Sequence, residues 1–119
     1  IEVQKHMFNK FPSDSPNGGF ISDPETGSIP HCRGTAIDLT LVDLQGNELD
    51  MGSDFDEFSD LAFHNCSKVS VEAQRNRLIL LGLMSVAGFD FFRKEWWHYQ
   101  LFNSREYPIA KASEEMISL

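Results

Sequence analysis

The chain has 119 residues, of which 41% are hydrophobic, 24% charged and 12% aromatic, values typical of one globular domain with a single core. Ten Lys and Arg stand against 18 Asp and Glu, a formal net charge of −8. Nucleic acids and anionic membrane surfaces both require clustered cations, so this balance disfavours either as a partner. No apolar run approaches the roughly 20 residues of a membrane-spanning helix.

The first thirty residues predict one partial helix and one loop. Apolar side chains at helical spacing predict the end of a helix over 1–11, and seven Pro and Gly residues within 12–30 predict a long loop. The chain starts at Ile1 inside that helix, so we expect a fragment or a processed chain. The lack of a visible signal peptide therefore says nothing about the compartment.

Regular alternation of apolar and polar residues predicts a strand over 34–43. Ile37, Leu39 and Leu41 share one face of this strand, which we expect to face the core. Asp38 lies on the opposite, polar face.

A Gln-Gly-Asn triplet then predicts a hairpin turn into a short strand at 48–51. The acidic stretch 52–69 that follows is interpreted as a solvated connection. A calcium-binding loop beginning at Asp54 would need Gly and Glu at its sixth and twelfth positions, where the chain has Ser59 and Asn65.

A helix is predicted from an N-cap at Ser70 to a left-handed end near Gly88, followed by strands at 89–93 and 96–102. The order of elements predicts an α+β fold, with an antiparallel sheet and flanking helices. We expect the buried face of the helix to contain the stripe Val71, Gln74, Leu78, Leu81 and Ser85, broadened by Ile79, Leu80, Leu83 and Met84.

Two histidines and one aspartate have the composition of a metal site. An unpaired carboxylate such as Asp38 in the middle of a strand is costly unless a cation satisfies it. His31 stands seven positions earlier, and His98 lies in the last predicted strand. A catalytic zinc takes three protein ligands and leaves a fourth position for water. His31, Asp38 and His98 supply that number, for one Zn²⁺ per chain.

Glu95 stands three residues before His98, and residues at that offset in a regular strand point to opposite faces. If both serve one site, Glu95 lies in the turn before the strand, beside the metal, where a general base would act. Spacing alone leaves a structural interpretation open. In that case His31 is a loop residue, Asp38 caps a neighbouring backbone group, and Glu95 and His98 form a surface pair.

The remaining cysteines and histidines are assigned no function. Cys32 and Cys66 are interpreted as two free thiols, although a single bridge between them stays open. His6 is interpreted as a helix-surface residue and His64 as a loop residue.

Four motifs follow one another along the chain: SIPHCRGTAIDLTL at 28–41, MGSDFD at 51–56, AQRNRL at 73–78 and EWWHY at 95–99. Together they resemble the S-x-H-x-x-G-x-A-x-D pattern and later motifs of the zinc D,D-peptidases. The chain is most similar to the VanX-type D-alanyl-D-alanine dipeptidases, and the resemblance extends over about residues 1–108.

This resemblance implies a hedgehog/D,D-peptidase-like fold with the zinc site on the face of the sheet. It makes His31, Asp38 and His98 the zinc ligands and Glu95 the catalytic glutamate. The implied reaction is hydrolysis of D-alanyl-D-alanine to two D-alanine, in peptidoglycan-precursor turnover or recycling or in glycopeptide resistance. Bacterial cytoplasm and periplasm both stay open as compartments, and so does the oligomeric state.

The chain departs from the family pattern at two points. Ile29 stands where the family has a serine, and Ser28 is one position away from it. The family's essential arginine, upstream of a helix, has no counterpart in the sequence. We therefore expect 1–119 to be the C-terminal portion of a single catalytic domain. Trp96 and Trp97 are interpreted as core aromatics, with one of them a candidate wall of the substrate pocket.

Two alternative functions remain. A zinc D,D-carboxypeptidase acting on longer peptidoglycan peptides would share all four site residues. A non-catalytic zinc-binding domain, like the hedgehog signalling domain, would share the ligands, but it would have no need of a free base at Glu95.

Overall fold

The computed structural model describes Gly27 and residues 29–110. The helix predicted at 1–11 and most of the loop predicted at 12–30 lie outside these residues. Within the described ranges, no helix is long and apolar enough to cross a bilayer.

A small antiparallel sheet and one long helix organise the described region, which confirms the expected α+β class at that level. β3 is the central strand, and β1 and β2 pair antiparallel with it on either side. The elements in chain order are β1 (Ala36–Asp38), α1 (Val71–Val86), β2 (Phe89–Phe92) and β3 (Glu95–Leu101).

The buried core contains three large aromatic side chains of β3. Trp96, Trp97 and Tyr99 are each 2% exposed or less, so both tryptophans are core aromatics as predicted. Aromatic side chains of this kind bury about 150–250 Å² each and dominate the energetics of a small core. Met51, Ala62 and Leu80 complete the cluster.

The boundaries of α1 agree with the sequence prediction. The Ser70 hydroxyl accepts a hydrogen bond from the Ala73 backbone N–H at 3.0 Å, which satisfies one of the free donors of the first turn. Just past the other end, Gly88 has φ 92°, a conformation that glycine adopts without a steric penalty.

The predicted buried stripe of α1 is correct only in part. Leu80 is buried, and Leu81 and Met84 pack against the core as expected. Val71 and Leu78 are 61% and 65% exposed. Apolar residues surround this helix, so their spacing does not identify the face that packs. The buried residues are Ala73, Asn76, Arg77 and Leu80.

The first strand is shorter than its alternating pattern predicts. Only Ala36–Asp38 of 34–43 forms a strand, extended by one hydrogen bond from Leu39 N to Trp97 O at 3.0 Å. Ile37 is 45% exposed, which contradicts its predicted core position, whereas Leu39 packs against the core as expected. The reason is that β1 is an edge strand and α1 packs on β2, at the other side of the sheet.

The predicted turn forms, but the short strand after it does not. Gly46 has φ 85°, and the Asp43 carboxylate accepts hydrogen bonds from backbone N–H groups inside the turn. A single bridge joins Val42 and Glu48, so 48–51 is not a strand.

Arg77 ties the acidic connection to α1. Its buried guanidinium donates to the carbonyl oxygens of Met51, Leu61 and Phe63, at 2.7, 2.6 and 2.7 Å. The carbonyl just before the segment and two carbonyls in its middle are thereby held by one planar group with fixed donor directions. The acidic segment is exposed around Asp56, as the sequence interpretation requires, but it is anchored to α1 on both sides of that exposed part.

Replacing Arg77 with Met should lower the free energy of unfolding by about 3 kcal/mol, because three buried carbonyls lose their donors. Urea denaturation of the Arg77→Met and Arg75→Met variants measures this difference. Arg75 is exposed on the same helix, so its variant should stay within about 0.5 kcal/mol of the parent. Equal unfolding midpoints for the two variants would contradict the assigned role.

Candidate metal centre

Two strands and one short turn bring three candidate ligands together. Asp38 ends β1 and its Cα lies directly opposite that of His98 on β3. His31 lies in a 3₁₀ turn, Pro30–Arg33, and Gly34 ends that turn with φ 67°. This left-handed glycine turns the chain into β1 and brings the side chain of His31 beside that of Asp38, seven positions later.

The three donor atoms form a nearly equilateral triangle. His31 Nε2 lies 3.2 Å from Asp38 Oδ1 and 3.2 Å from His98 Nδ1. His98 Nδ1 lies 3.2 Å from the same Asp38 oxygen. Nitrogen and oxygen ligands about 2.0–2.1 Å from a tetrahedral zinc ion stand about 3.3–3.4 Å apart, so the triangle has the dimensions of such a site.

A buried oxygen without a hydrogen bond also indicates a site for a cation. Asp38 Oδ1 is buried without a hydrogen bond of acceptable geometry in the described structure, although two imidazole nitrogens stand close to it. The exposed fractions of the His31, Asp38 and His98 side chains are 44%, 25% and 7%. The residues present therefore fit a divalent metal, which the buried His98 and the partly exposed Asp38 and His31 would hold.

The charges of the triangle also suit a cation. Burial acts to raise the pKa of Asp38, but the two imidazoles outweigh it and lower that pKa to about 2. Asp38 is therefore ionised at neutral pH. The close contact of this carboxylate with His31, at 3.2 Å, raises the pKa of His31 against the opposing effect of burial.

Glu95 lies beside the triangle rather than in it. Its Oε2 is 3.9 Å from His98 Nδ1, and the residue is 5% exposed. Burial, followed by the negative charges of Asp38 and Asp56, raises the pKa of Glu95 to about 8. Such a value suits a group that accepts and returns a proton near neutral pH.

The predicted backbone position of Glu95 needs a correction. Glu95 is the first residue of β3 and pairs with Phe92, so it does not lie in the turn. The pairing shifts register between Phe91 and Phe92. Irregular pairing of this kind re-aims side chains, which explains how Glu95 and His98 meet at an offset of three.

Asp56 faces the same centre and was missed in the sequence. It has φ 60° at the exposed tip of the acidic connection. Its charge raises the pKa of Glu95 and also that of His31. The pKa of Asp56 is itself raised by burial and by the charge of Asp38. Its position at the end of the MGSDFD motif was the only indication of a role in the sequence. The density of acidic residues by itself indicated only a solvated segment.

The other sequence candidates stay outside the centre. The rings of His64 and Tyr99 are 6.0 Å apart, and burial, helped by the charge of Arg77, lowers the pKa of His64 to about 4. Cys32 and Cys66 are free thiols, as predicted. His6 lies outside the described residues, as does Ser28.

Comparison with known proteins agrees with the motifs. A family model for peptidase M15, described as D-ala-D-ala dipeptidase, matches residues 15–115. The chain is 45% identical over 94 residues to the D-alanyl-D-alanine dipeptidase of Escherichia coli K12, covering 79% of this chain and 48% of that protein. It is 40% identical over 79 residues to the D-alanyl-D-alanine dipeptidase of Enterococcus faecalis V583, covering 66% of this chain and 39% of that protein.

The same protein of Enterococcus faecium is 42% identical over 79 residues, again covering 66% of this chain and 39% of the relative. The chain thus spans about half the length, or less, of these curated relatives. A family match over 101 of the 119 residues (15–115) is nevertheless decisive for membership. The chain belongs to the peptidase M15 family of D-ala-D-ala dipeptidases.

Proposed function

We propose that this chain carries the metal-binding and proton-transfer groups of a zinc-dependent dipeptidase that hydrolyses D-alanyl-D-alanine to two D-alanine. The convergence of three donor atoms at 3.2 Å, beside a buried carboxyl group, carries the proposal. The names of the curated relatives support the choice of substrate. The antiparallel sheet beneath the centre is consistent with a hedgehog/D,D-peptidase-like fold.

His31, Asp38 and His98 would hold the ion, in a family that is metal-dependent. Two imidazoles with one carboxylate are the donor set of catalytic zinc in several hydrolases, and thiolates are absent from the triangle. When bound, zinc would activate water at neutral pH and polarise a peptide carbonyl.

Glu95 would move the proton. The pKa of Glu95, raised to about 8 in the metal-free protein, would fall with a cation at the triangle, because positive charge nearby favours the carboxylate. The carboxylate can then take a proton from the attacking water at Oε2. The same oxygen returns it to the amine that leaves when the peptide bond breaks.

Asp56 would bind the free amino group of the dipeptide. Burial, followed by the charge of Asp38, raises the pKa of Asp56, and the charge of Asp56 in turn raises the pKa of Glu95. An ammonium group placed among these carboxylates relieves their repulsion. A site that requires a free amine in turn favours a dipeptide over the end of a longer chain.

Replacing Asp56 with Asn should raise KM for D-alanyl-D-alanine at least tenfold, because the amine loses its charged partner, while zinc content stays the same. Steady-state kinetics with metal analysis measures both quantities. The Asp54→Asn variant is the matched control, since Asp54 is exposed in the same loop. An equal change of KM in the two variants would rule out a specific role for Asp56.

The proposed reaction is tested by supplying the zinc-loaded full-length gene product with D-alanyl-D-alanine, L-alanyl-L-alanine and a peptidoglycan pentapeptide, because residues 1–119 contain no counterpart of the family's essential arginine. We expect release of D-alanine from the D,D-dipeptide alone, and loss of activity with a chelator. Cleavage of the pentapeptide without the dipeptide would establish the carboxypeptidase alternative instead. Stoichiometric zinc with no cleavage of any substrate would favour a non-catalytic zinc domain.

A further inference from the structure

His98 uses both of its ring nitrogens, and they point to different partners. Nδ1 is a corner of the donor triangle, 3.2 Å from Asp38 Oδ1. Nε2 lies 2.8 Å from Gln100 Oε1. The His98 side chain is 7% exposed, so water has little access to its ring nitrogens and does not replace Gln100 as a hydrogen-bond partner.

The contact with Gln100 decides which nitrogen carries the proton. An amide oxygen can only accept, so His98 Nε2 must donate to Gln100 Oε1. A neutral imidazole has one N–H, and Nδ1 is then left with a free lone pair. The other tautomer would aim a hydrogen from Nδ1 into the triangle and would block binding of a cation.

The backbone fixes Gln100 in the place that this role requires. It follows His98 by two residues on β3, so both side chains leave the same face of the sheet. Gln100 is paired on both sides, with Ala36 of β1 and Asp90 of β2. His31 has its own partner in the backbone of Ala36, which no side-chain substitution removes.

We propose that Gln100 is a positioning residue that holds His98 in its metal-binding tautomer and orientation. The inference rests on the proposed metal site, but it does not depend on the substrate or on turnover. Outer partners of metal-binding histidines typically contribute 10–100-fold to metal affinity. Gln100 would contribute in this range without touching the ion.

The test is zinc affinity, measured by competition with a chromophoric chelator. Gln100→Leu and Gln100→Asn should each bind zinc 10–100-fold more weakly, because the first lacks an acceptor and the second cannot reach Nε2. Gln100→Glu retains an acceptor and should restore or exceed the parent affinity. Gln45→Leu, at an exposed turn position, is the matched control and should bind as the parent does.

Nitrogen-15 spectra of the histidine rings give a second readout in the metal-free protein. We expect the Nε2–H form of His98 to dominate in the parent and Gln100→Glu, and to decrease in Gln100→Asn. A folded Gln100→Asn variant with parental zinc affinity and an unchanged tautomer would overturn the proposal. A parent protein that binds zinc but hydrolyses no dipeptide would refute the proposed reaction and leave the role of Gln100 standing.

Discussion

Replacing Glu95 with Gln should reduce kcat for D-alanyl-D-alanine by about 10²–10⁴-fold while zinc remains bound. Gln has nearly the same shape but can neither accept the proton of the attacking water nor return it to the leaving amine. Glu95 lies 3.9 Å from His98 Nδ1 and outside the triangle, so the ion should keep all of its ligands. Kinetics and metal analysis on one preparation test both halves. Near-parental turnover by a zinc-loaded variant would contradict the assignment of the base.

The same substitution has an expected effect on stability in the metal-free protein. The pKa of Glu95 is raised from 4.5 to about 8, chiefly by burial. Folding therefore opposes ionisation, and this carboxyl group destabilises the protein progressively as pH rises from about 4.5 to 8. The Glu95→Gln variant should match the parent near pH 4 and exceed its stability at pH 8. Parallel stability profiles for the two proteins across this range would show that Glu95 titrates normally.

Replacing His98 with Ala should abolish stoichiometric zinc binding. His98 is the most buried corner of the triangle, and its loss leaves Asp38 and His31 without the strand-anchored donor. The fall in affinity should exceed the 10–100-fold typical for an outer partner of a ligand. Metal analysis after gel filtration, with chelator competition, provides the measurement.

His64→Ala is the control for this substitution. Its ring packs against Phe91 and Tyr99, away from the triangle, so the variant should retain zinc even if the fold is less stable. Equal loss of zinc from His64→Ala and His98→Ala would indicate a general defect of folding rather than loss of a ligand.

Much of the local structure could be predicted because it depends on neighbours in the sequence. Ser70 and Gly88 mark the two ends of α1 through capping and a left-handed φ, both of which are local effects. The turn at Gly46 and the free state of Cys32 and Cys66 follow the predictions as well.

Burial could not be predicted where it depends on distant partners. Arg77 is buried because the backbone carbonyl oxygens of Met51, Leu61 and Phe63 surround its guanidinium, and nothing in its own helix indicates this. Ile37 is exposed because its strand lies at one edge of the sheet, whereas α1 packs on β2 at the other edge. The spacing of apolar residues indicates whether a segment is a strand or a helix, but it does not indicate which face of that element the rest of the chain covers.

The candidate site likewise contains residues that could be predicted from the sequence and residues whose positions could not. The three proposed ligands were chosen from composition and motifs, and the structure brings their donor atoms within 3.2 Å of one another. The place of Glu95 beside the triangle was predicted, but its backbone position in β3 and the positions of Asp56 and Gln100 could not be predicted from the sequence. They depend on a register shift, on a left-handed residue in a loop and on side-chain orientation within a strand.

X-ray absorption at the zinc K-edge tests whether His31, Asp38 and His98 bind the metal. We expect one zinc per chain, with nitrogen and oxygen neighbours at about 2.0–2.1 Å. We also expect the outer-shell scattering of two imidazoles, from His31 and His98. A sulfur neighbour at about 2.3 Å would place Cys32 or Cys66 at the metal and would contradict the triangle. So would a single imidazole, or a purified protein that takes up no stoichiometric zinc.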